Sequence, residues 1–417
     1  MIKPPLFIFL GLFAPLIIFS QTDTLQNPKQ FTQMDIKDWL AQKNWIKPRA
    51  EKNNFLLIIP IIASNPSAGF IFGAGLTYAY QSPPKSIRLS SVTANASYSS
   101  KGLLNLNMKS NVFALSDKLI LNGDWRFLIN NETTYGLGTK KYSSTSDVDI
   151  NGYETDGDSL GQILKYDQIR LYETGSWELF RNFFAGIGIH YDYYANIKDE
   201  TVQDGDTANS YHYQYSISHG FNPQKYTATG LSLNFLFDSR DNQVNAYRGF
   251  YANANYRVNL LGLGSSKSST MLLTEYRSFH SLDSRHRNIL AFWFYGNFVL
   301  TGEVPYLLLP ALGYDQRQKT GRGYTFGRFR GEDMLYGETE YRFPISRYTG
   351  ILGGVLFANA TTTTNKMEDI LLLEYLRFGY GGGLRIMLDK KSRTRLEIDA
   401  GIANKTVGFY LGAQETF

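Results

Sequence analysis

The chain has 417 residues, 43% hydrophobic and 15% aromatic, with 29 tyrosines and 38 glycines, a balance that leans towards an all-β protein. Its formal net charge of +5 is spread without a basic block, which argues against a nucleic-acid partner. It contains no cysteine, which leaves no disulfide framework and no site for a lipoprotein anchor.

Met1–Ser20 sets Lys3 before the apolar run LFIFLGLFAPLIIF, with Ser20 just ahead of Gln21. This is the layout of a secretory signal peptide, too short and too sharply followed by polar residues for a spanning helix. Residues 21–54 form a lead too short for a folded domain. Within it, DIKDWLAQKNW (Asp35–Trp45) gathers Ile36, Leu40 and Trp39 to one side and predicts a short amphipathic helix.

No later stretch approaches about 18 apolar residues, so a transmembrane helix is not expected. A closed β-barrel also spans a bilayer, and its strands alternate instead of reading as apolar blocks. Gly69–Tyr80 puts Phe70, Phe72, Leu76, Tyr78 and Tyr80 on one face, with glycine, Thr77 and Ala79 on the other. The same period recurs in Phe250–Val258, in Leu376–Leu388 and in Thr394–Ile402, where Arg395, Glu397 and Asp399 oppose Leu396, Ile398 and Ala400.

Sixteen strands are predicted, at 55–63, 69–80, 87–98, 103–114, 117–128, 163–177, 183–196, 229–238, 249–259, 269–280, 288–300, 334–343, 349–359, 374–388, 394–403 and 407–417. A soluble β-sandwich would also alternate. Here, however, tight turns (Ser116, Arg181-Asn182, Ser346-Arg347) follow even-numbered strands. Long connections (about 129–162, 197–228, 301–333 and 360–373) follow odd-numbered ones. An even strand count with short turns on one rim and long loops on the other predicts an all-β, sixteen-stranded antiparallel transmembrane β-barrel of a bacterial outer membrane over 55–417. Closure would leave no free edge, and the 21–54 lead would lie at the inner mouth or reach into it.

The connection 129–162 holds DVDINGYETDGD, in which Asp147, Asp149, Asn151 and Asp158 take positions 1, 3, 5 and 12 of a calcium-loop spacing, with Gly152 at the turn. Asp158 stands where a bidentate Glu is usual and no flanking helices are evident, so a solvated acidic loop competes with a Ca²⁺ site. No other cofactor is indicated. The five histidines are scattered without ligand spacing, and a GxSxG elbow is missing, so no enzyme is expected.

Arg322-Gly323-Tyr324 lies in the long connection ahead of Glu340–Ile345 (EYRFPI). It resembles the arginine-glycine-aromatic motif of the BamA/TamA superfamily, the bacterial surface antigen family. There the motif occupies the sixth outer loop, between strands 11 and 12 of sixteen. FLFDSRDN with YRGFY (Phe235–Asn242, Tyr247–Tyr251) and IASNPSAGFIFGAG (Ile62–Gly75) are similar to further family segments. The resemblance covers about 55–417 and implies an outer-membrane barrel whose sixth loop folds inward. It departs from the family in leaving no room for periplasmic POTRA domains, and in placing Asn359 where strand 13 usually carries an aspartate.

On strand 12, Glu338, Glu340 and Arg342 share a face opposite Thr339, Tyr341 and Phe343, so the charges are expected to face the lumen. Glu338 or Glu340 then becomes the expected partner of Arg322, with Asn359 accepting a further bond. At the C-terminus, Tyr410, Gly412 and Phe417 resemble the signal by which barrel proteins are recognised for insertion, although Glu415 stands where an apolar residue is usual.

The resemblance implies assembly, insertion or translocation of outer-membrane or surface proteins. Its partners would be outer-membrane lipid, client barrels, and periplasmic or lipoprotein components replacing the POTRA domains. The alternative is a passive pore or a scaffold subunit of an outer-membrane complex, because fold alone does not fix function.

Overall fold

The computed structural model describes residues 32–47, 54–65, 69–81, 88–139, 161–200, 210–284, 287–403, 406–412 and 415–417. The predicted signal peptide and the Asp147–Asp158 segment, with Asp149 and Asn151, lie outside them. Helix α1 spans Ile36–Gln42. The strands are β1 (Asn54–Asn65), β2 (Gly69–Tyr80), β3 (Ser90–Ser99), β4 (Leu104–Ala114), β5 (Leu119–Thr134), β6 (Gln162–Phe180), β7 (Phe183–Asp199) and β8 (Tyr226–Asp238). They continue as β9 (Gly249–Asn259), β10 (Ser269–Ser281), β11 (Ile289–Gly302), β12 (Asp333–Pro344), β13 (Leu352–Thr363), β14 (Arg377–Asp389), β15 (Thr394–Ala403) and β16 (Thr406–Gly412). Helix α2, Tyr211–Ser218, lies between β7 and β8.

All sixteen strands join one antiparallel sheet in strict chain order. Each backbone ladder finds its partner in the neighbouring strand, as strands crossing hydrocarbon require. The two faces divide by chemistry. Phe70 and Phe72 on β2 are 62% and 59% exposed outward, while Glu340 on β12 is fully buried inward. Among the described residues, no helix is long and apolar enough to cross a membrane.

Three differences from the sequence reading carry physical content. Closure is not seen among the described residues: β1 pairs with β2 and β16 with β15, but no ladder joins β16 to β1. Strand β16 ends at Gly412, so Phe417 is not part of it. Strands β5 and β6 run to 16 and 19 residues, well past the 9–11 that cross a bilayer.

The lumen is packed at several levels. Beyond the long-loop rim, Tyr166, Tyr194, Tyr215, Tyr226, Tyr306 and Leu307 form a buried aromatic dome. At the short-turn end, Phe113, Ile120, Phe184 and Leu236 form a smaller apolar cluster, with Arg88 over the Phe184 ring at 4.8 Å. The 239–248 turn reaches the β14–β15 turn, where Arg393 Nη1 meets Asp241 Oδ2 at 2.8 Å and Asn242 donates to the Ser392 carbonyl at 3.3 Å.

Helix α1 docks on that same rim. Asp35 caps it, accepting from the Lys37 and Asp38 amides at 2.9 Å. Met34 N donates to Thr349 O at 2.8 Å, and Lys390 Nζ pairs with Asp38 at 3.1 Å. It therefore sits on the rim, with Trp45 70% exposed.

Candidate functional site

The connection between β11 and β12, residues 303–332, does not extend into solvent. Arg330 anchors its outer part, meeting Glu132 Oε1 at 2.5 Å and donating to Tyr306 O at 3.0 Å. Further along, Arg322 enters the lumen and is fully buried.

Its guanidinium meets three carboxylates. Nη2 lies 2.5 Å from Glu338 Oε1 and also pairs with Glu340, Nε donates to Glu338 Oε2 at 3.3 Å, and Nη1 meets Asp399 Oδ2 at 2.7 Å. The planar cation also stacks 3.6 Å from the Phe357 ring centroid. A forked, delocalised cation suits this seat because it supplies several donors in fixed directions to more than one carboxylate.

The strands explain the placement. Register pairs Glu338 with Asn359 and Glu340 with Phe357 across β12 and β13. Period-two alternation turns all four side chains inward. Asn359 does not accept from Arg322. Its Nδ2 donates to the Arg322 carbonyl at 3.0 Å. The reason is chemical: carboxylates already occupy the guanidinium donors, whereas the loop carbonyl is an open acceptor. The sequence sets Asp399 on the charged face of its strand, opposite Leu396, Ile398 and Ala400, without marking it as a partner. That position on β15 is its only local sign.

Glycines create the room. Gly323 has φ +107°, and a Cβ there would lie 2.9 Å from the Ala403 Cβ. On the wall, a Cβ at Gly401 would lie 2.7 Å from the Gly323 nitrogen, and one at Gly379 2.9 Å from the Arg322 oxygen. The loop then binds the last strand directly. Gly323 N donates to Tyr410 Oη at 2.8 Å and Gly323 O accepts from Thr406 Oγ1 at 2.6 Å. Tyr324 Oη donates to Phe378 O at 2.8 Å on β14.

The C-terminal residues join the same network from inside. Arg385 Nε contacts Glu415 Oε2 at 2.7 Å, and Arg342 Nη2 donates to the Phe417 oxygen at 3.1 Å. Arg342 also pairs with Glu340 at 2.6 Å and Arg385 with Asp399, while Lys319 pairs with Glu397. The Phe417 ring lies 5.3 Å from Trp293. Phe417, at the end of the expected insertion signal, is thus a buried lumenal residue, and Glu415, which stands where an apolar residue is usual, pairs with arginines. Tyr410 faces inward as well. Gly412 admits the Glu397 carboxylate, which a Cβ would approach to 2.5 Å.

Among the described residues, no group of three or more His, Cys, Asp or Glu is arranged to hold a metal ion.

The Omp85 superfamily domain matches residues 165–417 of this chain. No curated protein matches it at the sequence level. Among solved structures, BamA from Haemophilus ducreyi lacking POTRA domains 1–3 is similar with a TM-score of 0.54 at 14% identity, over 87% of this chain and 69% of that one. CdiB from Acinetobacter baumannii gives 0.51 at 11% identity over 85% of this chain, and CdiB from Escherichia coli 0.50 at 9% over 88%. This chain covers 57% and 62% of those two.

Proposed function

Because the chain belongs to the Omp85 superfamily and forms an integral outer-membrane barrel, we propose that it inserts or exports outer-membrane or surface proteins, with β1 as the edge on which a client strand adds. The observation that carries this reading is β1 itself. Its only ladder among the described residues runs to β2, and Pro60 sits in its middle. Proline removes a ladder donor and is confined in sheets to edge strands or bulges. A strand with one side unpaired is a template for β-augmentation.

In this reading, the Arg322 lock fastens the sixth loop to β12, β15 and β16 and holds the last strands in place. Tyr410 and Thr406 couple the loop to β16, so loosening the loop would free that strand. Client handling falls to periplasmic or lipoprotein partners that approach the short-turn rim. A passive pore fits the same strand count; the dome, the buried loop and the apolar cluster packed at the short-turn end favour the first reading.

Depletion of the protein followed by outer-membrane proteomics tests the proposal. Broad loss of barrels or surface proteins is the expected result. An unchanged proteome with altered solute uptake would overturn it in favour of a pore.

A further inference from the structure

A second lumenal site lies away from the Arg322 lock. A cavity of about 200 Å³ is lined by β5 to β11 and by the start of the β11–β12 connection. A single water needs only about 10–15 Å³ on this measure. Its wall carries Arg126, Arg170, Arg257, Arg277, Arg317 and His190. The acids around it are largely committed. Asp124 binds Arg126 at 2.6 Å, Glu275 binds Arg277, and Asp192 is shared between Arg170 at 2.8 Å and Arg257 at 3.0 Å. Asp315 spends its carboxylate on the loop backbone, accepting from the amides of Arg317, Lys319 and Thr320 at 2.8 to 3.0 Å.

Positive charge is therefore in excess, and it is concentrated on one residue. Among the described residues, the Arg317 guanidinium forms no ion pair and no side-chain hydrogen bond. Burial, reinforced by Arg277 and Arg240, holds its pKa down to about 9, the mark of a cation lacking a counter-charge. His190 adds an independent sign. It is 5% exposed, its Nε2 lies 2.7 Å from Ser232 Oγ, and its Nδ1 has no partner. Buried polar atoms are ordinarily satisfied, and this unsatisfied nitrogen belongs to a side chain that lines the cavity.

We propose that this cavity binds a small dianion of the phosphate class, either free phosphate or a phosphate monoester, with Arg317 as its principal charge partner and His190 as an additional hydrogen-bonding group. Tetrahedral oxyanions match the forked donors of arginine, and the enclosed wall makes each contact stronger than it would be in water. Because Arg317 belongs to the same connection as Arg322, the anion would also fasten the upper part of the loop.

Calorimetry on the intact barrel in detergent, titrated with inorganic phosphate against a chloride control at equal ionic strength, tests this. Saturable binding with phosphate and not chloride is expected, weakened at least about tenfold in Arg317→Gln and less in Arg317→Lys, with the folded gel mobility unchanged in both. A parallel titration with glycerol 3-phosphate separates the sources: binding comparable to phosphate assigns the site to a monoester, and exclusion assigns it to the free ion. No saturable heat with either ligand, equal heat with chloride, or unchanged binding in Arg317→Gln would overturn the proposal.

Discussion

Replacing Arg322 with alanine perturbs the lumen in a way that can be worked out residue by residue. Glu340 keeps Arg342, and Asp399 keeps Arg385. Glu338 loses Arg322, the one cation within ion-pair distance of it among the described residues, and retains only Tyr336 Oη at 2.6 Å and the Asn359 amide at 3.5 Å. Breaking a buried pair and leaving its carboxylate behind costs about 3–5 kcal/mol. Arg322→Ala should therefore destabilise the barrel by about that amount. Adding Glu338→Gln should return part of it, with a coupling energy in the range of about 0.5–3 kcal/mol for groups in contact. The assay is urea unfolding in detergent micelles, followed by the shift from folded to unfolded mobility on unheated gels. A change below about 0.5 kcal/mol, typical of an inconsequential surface site, would refute the lock, as would a double variant no more stable than Arg322→Ala.

Gly401→Val should unseat the loop, because a Cβ would meet the Gly323 nitrogen at 2.7 Å. Protease cleavage within 303–332 should rise well above wild type, and an unchanged digest would contradict the seating. Phe417→Ala removes a ring packed on Trp293 and Phe279 and should cost about 3–5 kcal/mol in the folded barrel, read by the same urea assay. A loss confined to the yield of inserted protein, with folded stability intact, would instead favour a purely export-related role. His212 on α2 is held neutral by burial and, secondarily, by Arg330, with its pKa lowered to about 3. The unfolded chain binds this proton near pH 6.5, so stability should be full above that value and decline as pH falls towards about 3. Thermal unfolding across pH 7 to 4 should show this slope flattened in His212→Phe.

How much of this was legible depends on the range of the signal. Alternation is written within each strand, so the sixteen strands and the charged faces that hold Glu338, Glu340, Arg342, Glu397 and Asp399 could be read without neighbours. The Arg322 partners were only half legible. Glu338 and Glu340 lie 16 and 18 residues away, whereas Asp399 lies 77 residues on and reaches the site through sheet curvature. Helix α2 was hidden because YHYQYSIS alternates its tyrosines as a strand would. Its cap, Ser210 accepting from Tyr213 N at 3.2 Å, and the aromatic dome decide otherwise. The end of β13 was missed because Thr361–Thr363 read as a polar loop, yet all three threonines are buried. Thr361 and Thr363 lie on the face of Asn359, and Thr362 lies opposite them, where it accepts from Leu373 N at 3.2 Å. Glu415 was the clearest missed clue, since its mismatch with an outward apolar pattern was itself the sign of an inward turn.

The tie between the 239–248 turn and the β14–β15 turn has a mechanical consequence. A cylindrical wall flexes most easily by changing its cross-section, and a strut across one arc stiffens that arc alone. Here the strut joins β8 and β9 to β14 and β15, reinforced by Arg393 lying 4.1 Å over the Tyr247 ring. The arc from β1 to β4 is tied at the same rim, where Arg88 donates to Asn182 Oδ1 at 2.7 Å and Leu89 N to Gln243 Oε1 at 3.3 Å. Further up, its inner face carries amides such as Asn95 and Asn107, 3.1 Å apart, where β12 to β15 carry the ion pairs around Arg322 and Arg385. The wall is therefore pinned at the short-turn rim and stiffened by charge over β12 to β15, and slow deformation of the sheet should concentrate above the rim in the amide-lined strands β1 to β4. Amide hydrogen exchange would register it as faster turnover in β1 to β4 than in β9 to β14.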